Sequence, residues 1–429
     1  MYIKQKGFAK VKSNQRIIRV VVALLLVLST TFSLSSCLLL DFSIYQDILN
    51  GEFGNGNNNN NNNNQNNNGN QNNDQSNTDN NTEIPEFYPG GQGSIENVPA
   101  LQQSLLSTVV VISEFTDTVG KGSGVFYQID KETGDAYIIT NQHVVYKNGK
   151  QSENIYVYLY GMLLSTYGIK ATYIGGSTNY DIAVIKIEGS EILKNSLAIS
   201  ATPGKSADVG IFDTVYAVGN HAGGGIAATQ GIVSVRSENL SVDGADDTGI
   251  TLRVMRVDAA INLGASGGGI YNTQGKLVGI VCAKTIRDDV DDMGYAIPID
   301  LALNLANNII YHCDGVDMIK VNRALLGITI SAKVIGPYID ENGNILEGAK
   351  VQVMDVSASS LAYGKVEIDD VVNSITVDGV TVMATAVYLI PEHMLNARLG
   401  SEIVMNVTRG EETFDITFTI TESAITLEN

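Results

Sequence analysis

Residues 258 to 280 read Asp-Ala-Ala-Ile-Asn-Leu-Gly-Ala-Ser-Gly-Gly-Gly-Ile-Tyr-Asn-Thr-Gln-Gly-Lys-Leu-Val-Gly-Ile, and one serine, Ser266, stands there among glycines. Glycine surrenders more conformational freedom on folding than any other residue, so such crowding around one hydroxyl points to a tight backbone path. A serine that attacks a carbonyl needs that path. Its acyl-transfer intermediate carries a negative oxygen, best held by backbone N–H groups aimed at one point, and side chains there would block the substrate. The plainer reading is a glycine-rich turn carrying a surface serine.

Two other residues have the chemistry to serve such a serine. His143 follows the apolar run Tyr137-Ile138-Ile139-Thr140 across a short polar break. A strand end holds an imidazole rigidly with one edge open, and an ordinary pKa near ~6.5 lets it take and return a proton at neutral pH. A lone histidine is more often structural, and His221, His312 and His393 each read as loop or linker residues. Asp181 opens the apolar run Ile182 to Ile187. A carboxylate there is costly unless paired, and a histidine Nδ1–H is the partner that would fix the tautomer. The alternative is an aspartate closing a turn after Thr178-Asn179-Tyr180.

The elements around these residues choose between two architectures. Gly264-Ala265-Ser266-Gly267-Gly268 satisfies the G-x-S-x-G nucleophile elbow of α/β-hydrolases, but an elbow runs straight into a helix. Here a turn at Asn272-Thr273-Gln274-Gly275 and an apolar run from Leu277 predict a hairpin. The order His, Asp, Ser is that of chymotrypsin-like proteases. Short apolar runs at 109–112, 124–129, 136–140, 155–160, 182–187, 215–219, 250–257 and 277–281 alternate with turn residues, as in a barrel or sandwich. Asp300 is expected to cap one closing helix over Leu301 to Ile310.

The 429 residues leave room for two or three domains, and 44% hydrophobic residues with 43 glycines against 7 prolines describe a mostly β chain rich in turns. The formal net charge of -19 argues against nucleic-acid binding. Three cysteines, Cys37, Cys282 and Cys313, do not make a disulfide framework. Basic residues from Lys4 to Arg19, then an apolar core from Ile17 to Leu28, match a secretory signal peptide. Leu34-Ser35-Ser36-Cys37 resembles a bacterial lipobox, in which the cysteine thiol receives a diacylglyceryl group, so residues 1–36 would be removed. The competing reading is an uncleaved membrane helix from Ile17 to Leu40. Residues 37–97 include the asparagine-rich stretch 51–81, too polar to bury anything and able as a flexible spacer to reach roughly 30 Å.

Taken together, Gly122-Ser123-Gly124-Val125, Thr140-Asn141-Gln142-His143-Val144-Val145, Asp181-Ile182-Ala183-Val184, Ala217-Val218-Gly219-Asn220, Asp258-Ala259-Ala260-Ile261-Asn262, Gly264-Ala265-Ser266-Gly267-Gly268 and Gly294-Tyr295-Ala296-Ile297-Pro298 resemble the HtrA family of envelope serine proteases. The resemblance implies a mostly β fold, a chymotrypsin-like double β-barrel over residues 98–312 followed by a PDZ-like α+β domain over 320–425. It implies His143 as general base, Asp181 as its orienter and Ser266 as nucleophile, with the N–H groups of Gly264 and Ser266 as oxyanion hole. Partners would be unfolded proteins or peptides, with the membrane reached through the lipid and a homotrimer as the assembly. No metal or organic cofactor is called for. The chain departs from the family where Leu263 and Ala265 replace proline and asparagine, and where Asn220-His221-Ala222-Gly223-Gly224-Gly225 replaces Asn-Pro-Phe-Gly. Both departures bear on how the oxyanion hole is held.

In chymotrypsin-like proteases the S1 pocket lies just before the nucleophile, which here offers Ala260 and Ile261, with Val281, Cys282 and Ala283 as the neighbouring wall. With no carboxylate among them, small or medium apolar P1 residues are expected. Asp288, Asp289, Asp291 and Asp292 form an acidic loop that reads as solvated, without a complete calcium-ligand pattern. Leu325-Leu326-Gly327-Ile328 resembles the loop by which PDZ domains receive a peptide C-terminus on successive backbone N–H groups. A small β-rich packing domain is the alternative there. For the whole chain, the rival to a protease is a catalytically silent binding scaffold.

Overall fold

The computed structural model describes residues 93–165, 167–246, 249–284, 293–313, 320–339 and 345–427. Cys37, the residues before it, the asparagine-rich stretch and the acidic loop at 288–292 lie outside the described residues. Apart from residues 117–119, the described residues fall within one compact unit.

After helix α1 (Ala100–Ser107), six strands close a first barrel in the order β1 (Thr108–Glu114), β2 (Val119–Asp130), β3 (Asp135–Thr140), β6 (Ile182–Ile187), β5 (Ile169–Ser177) and β4 (Asn154–Tyr158). A second barrel runs β8 (Ala227–Asp243), β9 (Gly249–Val257), β12 (Gly294–Pro298), β11 (Leu277–Lys284), β10 (Gly269–Asn272) and β7 (Thr214–Gly219). Side chains alternate across a strand, and here both faces are buried. Ile138 and Ile185 fill the first barrel, while their neighbours Ile139 and Val184 face a second core shared with the other barrel. Each fully buried aliphatic side chain of this kind contributes roughly 1.5–3 kcal/mol. That two-sided burial is why these strands read as continuous apolar runs.

The hairpin predicted after Ser266 is present as β10 and β11. Its turn closes with Gly275 N–H on Asn272 O at 3.0 Å, and Gly275 has φ +72°, a conformation that glycine adopts without strain. Helix α3 spans Ile299–His312, with Pro298 at the cap. Asp300 therefore lies inside the first turn instead of capping it, and its carboxylate accepts the Ser206 N–H at 2.8 Å. Ile299, Ala302, Leu305, Ala306 and Ile309 form the buried stripe of α3, pressed against both barrels.

A C-terminal β unit follows. Strands β14 (Ile328–Ile339), β15 (Ile345–Val356), β16 (Val371–Val377), β18 (Glu402–Arg409) and β19 (Glu412–Thr419) form a sheet in that order, with β17 (Val380–Met383) also paired to β16. Strand β13 (Asn322–Ala324) pairs with β20 (Ile425–Leu427), and helix α4 spans Leu389–His393. His312 and His393 thus end helices instead of lying in loops.

This unit docks on the barrels through polar contacts that leave little freedom. Arg253 of β9 and Glu392 of α4 form a two-pronged pair, Nε to Oε1 and Nη2 to Oε2 at 2.5 and 2.6 Å, with side chains 12% and 9% exposed. The guanidinium also lies 4.2 Å from the centre of the Tyr388 ring. Asn308 Nδ2 donates to Asn322 O and Leu395 O at 2.8 and 2.7 Å. Burial pushes the Glu392 carboxyl above its ordinary value against the charge and hydrogen bonds of Arg253, so the pair locates the unit more than it stabilises it. Glu392→Ala should cost about 3–5 kcal/mol in denaturant unfolding, because Arg253 is left buried and unpaired. The double change Arg253→Met with Glu392→Leu should regain most of that; equal losses in both proteins would contradict this account.

Candidate active site

The structure brings His143 and Asp181 together. Strand β3 ends at Thr140 and a single helical turn, α2 (Gln142–Val145), presents the imidazole at the surface, its side chain 38% exposed. Asp181 sits just before β6 with φ +51°, left-handed geometry that aspartate tolerates better than most residues. Two bonds hold that turn to the histidine segment: Asn141 Nδ2 donates to Asp181 O at 2.9 Å, and the His143 N–H donates to Asp181 Oδ1 at 3.0 Å. The carboxylate, only 8% exposed, then meets His143 Nδ1 with both oxygens, at 3.0 and 2.9 Å. Desolvation pulls the imidazole pKa down, but the charge and hydrogen bond of Asp181 outweigh it and leave His143 above its ordinary value. Nε2 is the nitrogen left to work as a base.

Ser266 is tied to the histidine segment through β2. Its carbonyl accepts the Ser123 N–H at 2.7 Å, and the Ser123 carbonyl accepts Thr140 Oγ1 at 2.7 Å, three residues before the histidine. Ser266 is half-buried, and its hydroxyl makes no hydrogen bond among the described residues. In resting proteases the bond between nucleophile and base is commonly long, and it tightens with substrate.

The loop around Ser266 can be audited bond by bond, because a buried backbone group left unpaired is costly. Every carbonyl from Asn262 to Ser266 has a partner. Ala265 N–H bonds Asn262 O at 3.0 Å, Ala222 N–H bonds Leu263 O at 2.9 Å, and Gly268 N–H bonds Ala265 O at 2.8 Å. Ser123 supplies the other two, its hydroxyl to Gly264 O at 2.7 Å and its N–H to Ser266 O at 2.7 Å. Gly267 N–H goes to Val281 O at 2.8 Å. Among the described residues, the N–H groups of Gly264 and Ser266 make no hydrogen bond, and neither do those of the exposed Asn262 and Leu263 before them. In a trans peptide the C=O and the following N–H point opposite ways. Holding Leu263 O toward Ala222 therefore turns the Gly264 N–H to the other side, and holding Ala265 O toward Gly268 does the same for Ser266.

The sequence therefore departs from the family at 220–225 without losing support for the loop. A short 3-10 turn, His221–Gly223, supplies the Ala222 N–H, and Ala222 itself adopts φ +59° to do so. Gly264 needs φ +92°, and Gly267 φ +86°. Sequence reasoning missed Ser123, Asn141 and Ala222 as supports. The block Gly122-Ser123-Gly124 carried a signal, a serine flanked by glycines, with nothing to say what its hydroxyl meets.

Of the expected S1 residues, Ile261 and Val281 are buried with Ala265 in one cluster behind the serine loop. Ala260 is exposed, its carbonyl accepting Thr229 Oγ1 at 2.9 Å. Cys282 does not join this group. It lies on the opposite face of β11, in the core shared with α3, its thiol donating to Tyr295 O at 3.5 Å. Side chains on a strand point alternately to opposite faces, and reading 281 to 283 as one wall overlooked this. The backbone of Ala283 pairs with Tyr295.

A second recess lies in the C-terminal unit, a groove of about 240 Å³ lined by Leu325, Leu326, Gly327, Ile328, Ile390 and Met394, among others. Ala362 N–H and Ser357 N–H bond the carbonyls of Leu326 and Gly327 at 3.1 and 2.9 Å. Gly327 has φ +76°. The N–H groups of Leu326 and Gly327 make no hydrogen bond among the described residues, and a run of spare amides beside an apolar groove suits a carboxylate with an apolar neighbour.

Two closed six-stranded barrels define a trypsin-like peptidase fold, and the family described as "Trypsin-like peptidase domain" matches residues 122–280. That domain is homologous to those of HtrA serine proteases. The chain is 34% identical over 262 residues to Serine protease Do-like HtrA of Bacillus subtilis (strain 168), covering 57% of this chain and 54% of that one. It is 33% identical over 215 residues to Serine protease Do-like HtrA of Lactococcus lactis subsp. cremoris (strain MG1363), covering 48% of each. The chain thus spans about half the length of the curated relatives it matches. Among solved structures, HtrA-type protease AlgW with tripeptide is 25% identical and aligns with a TM-score of 0.50 over 75% of this chain and 96% of that one.

Proposed function

We propose that this chain is an HtrA-type serine endopeptidase that degrades unfolded or damaged proteins outside the cytoplasm. The observation that carries the reading is the pair of unspent amides at Gly264 and Ser266, in a loop tied through Ser123 to Thr140, three residues before a histidine paired to a buried carboxylate. Ser266 Oγ attacks the scissile carbonyl while His143 Nε2 takes its proton, and Asp181 holds the Nδ1–H and the imidazolium that forms. The tetrahedral oxygen receives the two N–H groups. His143 then protonates the leaving amine, and water enters by the same route to hydrolyse the acyl-enzyme. Ala260, Ile261 and Val281 around S1 favour small or medium apolar P1 residues.

In this reading residues 98–312 are the protease domain. Residues 320–425 are a PDZ-like domain whose 325–328 loop takes peptide C-termini, supported by the spare amides of Leu326 and Gly327. Residues 1–36 are a signal peptide and Cys37 carries a lipid, with 37–97 as the tether; among the described residues no helix is long and apolar enough to cross a membrane. Assembly is as a homotrimer. A silent scaffold is the weaker reading, since it has no use for two amides kept free beside a serine.

The test is fluorophosphonate labelling of the protein, followed by casein digestion and sequencing of the fragments. Labelling at Ser266 and cuts after valine or alanine are expected. A protein that resists the probe even with a groove-binding C-terminal peptide present is not a protease, and predominant cuts after lysine would reject the S1 assignment.

A further inference from the structure

Ser123 has no exposed surface, yet its side chain is polar and lies in the wall between the two barrels. A hydroxyl has one proton to give and lone pairs to receive with, and here both are spent on backbone. Oγ accepts the Asn220 N–H at 2.8 Å and donates to Gly264 O at 2.7 Å. Its main chain holds Ser266 O and receives Thr140 Oγ1, both at 2.7 Å. One residue thus touches the end of β3, the residue after β7, and the serine loop at two points.

We infer that Ser123 is a positioning residue for the oxyanion hole, its hydroxyl fixing the peptide plane between Gly264 and Ala265. This deepens the protease reading and rests on it. The plane needs fixing from outside. Gly264 is free to rotate, since no side chain restricts it, and Leu263 is 47% exposed, so packing restrains the loop only from Ala265 onward. Ala222 secures the preceding peptide and Ser123 secures the following one. Without the hydroxyl, the buried Asn220 N–H and the half-buried Gly264 O are both left unpaired, and rotation of the Gly264 carbonyl toward another donor carries the neighbouring amides off their common target. Such a loss is felt where the oxyanion forms and not where the ground-state peptide binds.

The experiment compares wild type, Ser123→Cys and Ser123→Ala in the full chain, measuring kcat and KM on a peptide substrate, inhibition by a peptide boronate that binds serine as a tetrahedral anion, and melting temperature. Cysteine keeps the shape with a weaker hydrogen bond. Ser123→Ala should lower kcat about 10²–10³-fold, as loss of one oxyanion donor does, with KM changed by less than about threefold. Boronate affinity should fall in parallel, and Ser123→Cys should lie between. A variant that keeps wild-type kcat overturns the inference, as does a loss shared equally by kcat and KM that tracks a fallen melting temperature. Should Ser123→Ala fail to fold, Ser123→Cys decides alone, and wild-type kcat in it overturns the inference. If wild type neither labels nor cleaves, the protease reading itself has failed; if wild type cleaves and the variants cleave as fast, only the role of Ser123 has.

Discussion

Ser266→Ala should abolish casein degradation, with kcat reduced on the order of 10⁶-fold, the loss seen when the nucleophile of a comparable triad is removed. The magnitude follows from what the substitution takes and leaves. The attacking oxygen goes, while the Gly264 and Ser266 amides and the His143–Asp181 pair remain, so the residual rate is what an oxyanion hole and a bound water supply. Folding should not suffer. The hydroxyl makes no hydrogen bond among the described residues, and the backbone bond from Ser123 to Ser266 O does not depend on the side chain. Melting temperature and affinity for a non-cleavable peptide should therefore match wild type. Casein degradation by the variant at a substantial fraction of the wild-type rate would remove Ser266 from the reaction.

Asp181→Asn should have the second largest effect, lowering kcat about 10⁴-fold with the fold intact. An amide at this position donates to Nδ1 instead of accepting from it. The imidazole proton is then driven to Nε2, the nitrogen that must receive the proton of Ser266. The pH profile gives an independent check. His143 works as a base when neutral, and its pKa lies above the ordinary value because the Asp181 charge and hydrogen bond overcome desolvation. Wild-type kcat/KM should accordingly rise with pH through a value above ~6.5. With the carboxylate gone only desolvation is left, so the residual activity of the variant should rise at lower pH. An unmoved acidic limb would show that another group titrates there.

How far the chain could be read before folding depended on burial. Ile182–Ile187 is apolar on both faces and its strand falls where the run lies. Ala227–Asp243 forms the longest strand of the second barrel, yet Thr229, Gln230, Arg236, Glu238 and Asn239 break its pattern, and nothing local marks it. Ile169–Ser177 was obscured by Gly175 and Gly176, although Gly176 is where the Gln142 side chain crosses the strand and leaves no space for a Cβ. The same division holds at the site. His143, Asp181 and Ser266 were legible because their chemistry and order are distinctive. Ser123 and Ala222 were not, since they act through contacts 141 and 41 residues away in sequence, to the carbonyls of Gly264 and Leu263. Cys282 misled because proximity along the chain was taken for proximity in space.

Val125 and Ile139 of the first barrel, Val218 and Ile280 of the second, Leu305 of α3 and Leu395 beside α4 belong to one buried cluster. Loosening either barrel wets the same oily interior, so the two barrels should give way together under heat or denaturant. The C-terminal sheet meets that interior through Leu395 but encloses a core of its own, around Val353, Ile375, Ile403 and Met405. The carboxylate groove therefore rests on a different set of buried side chains from the catalytic cleft.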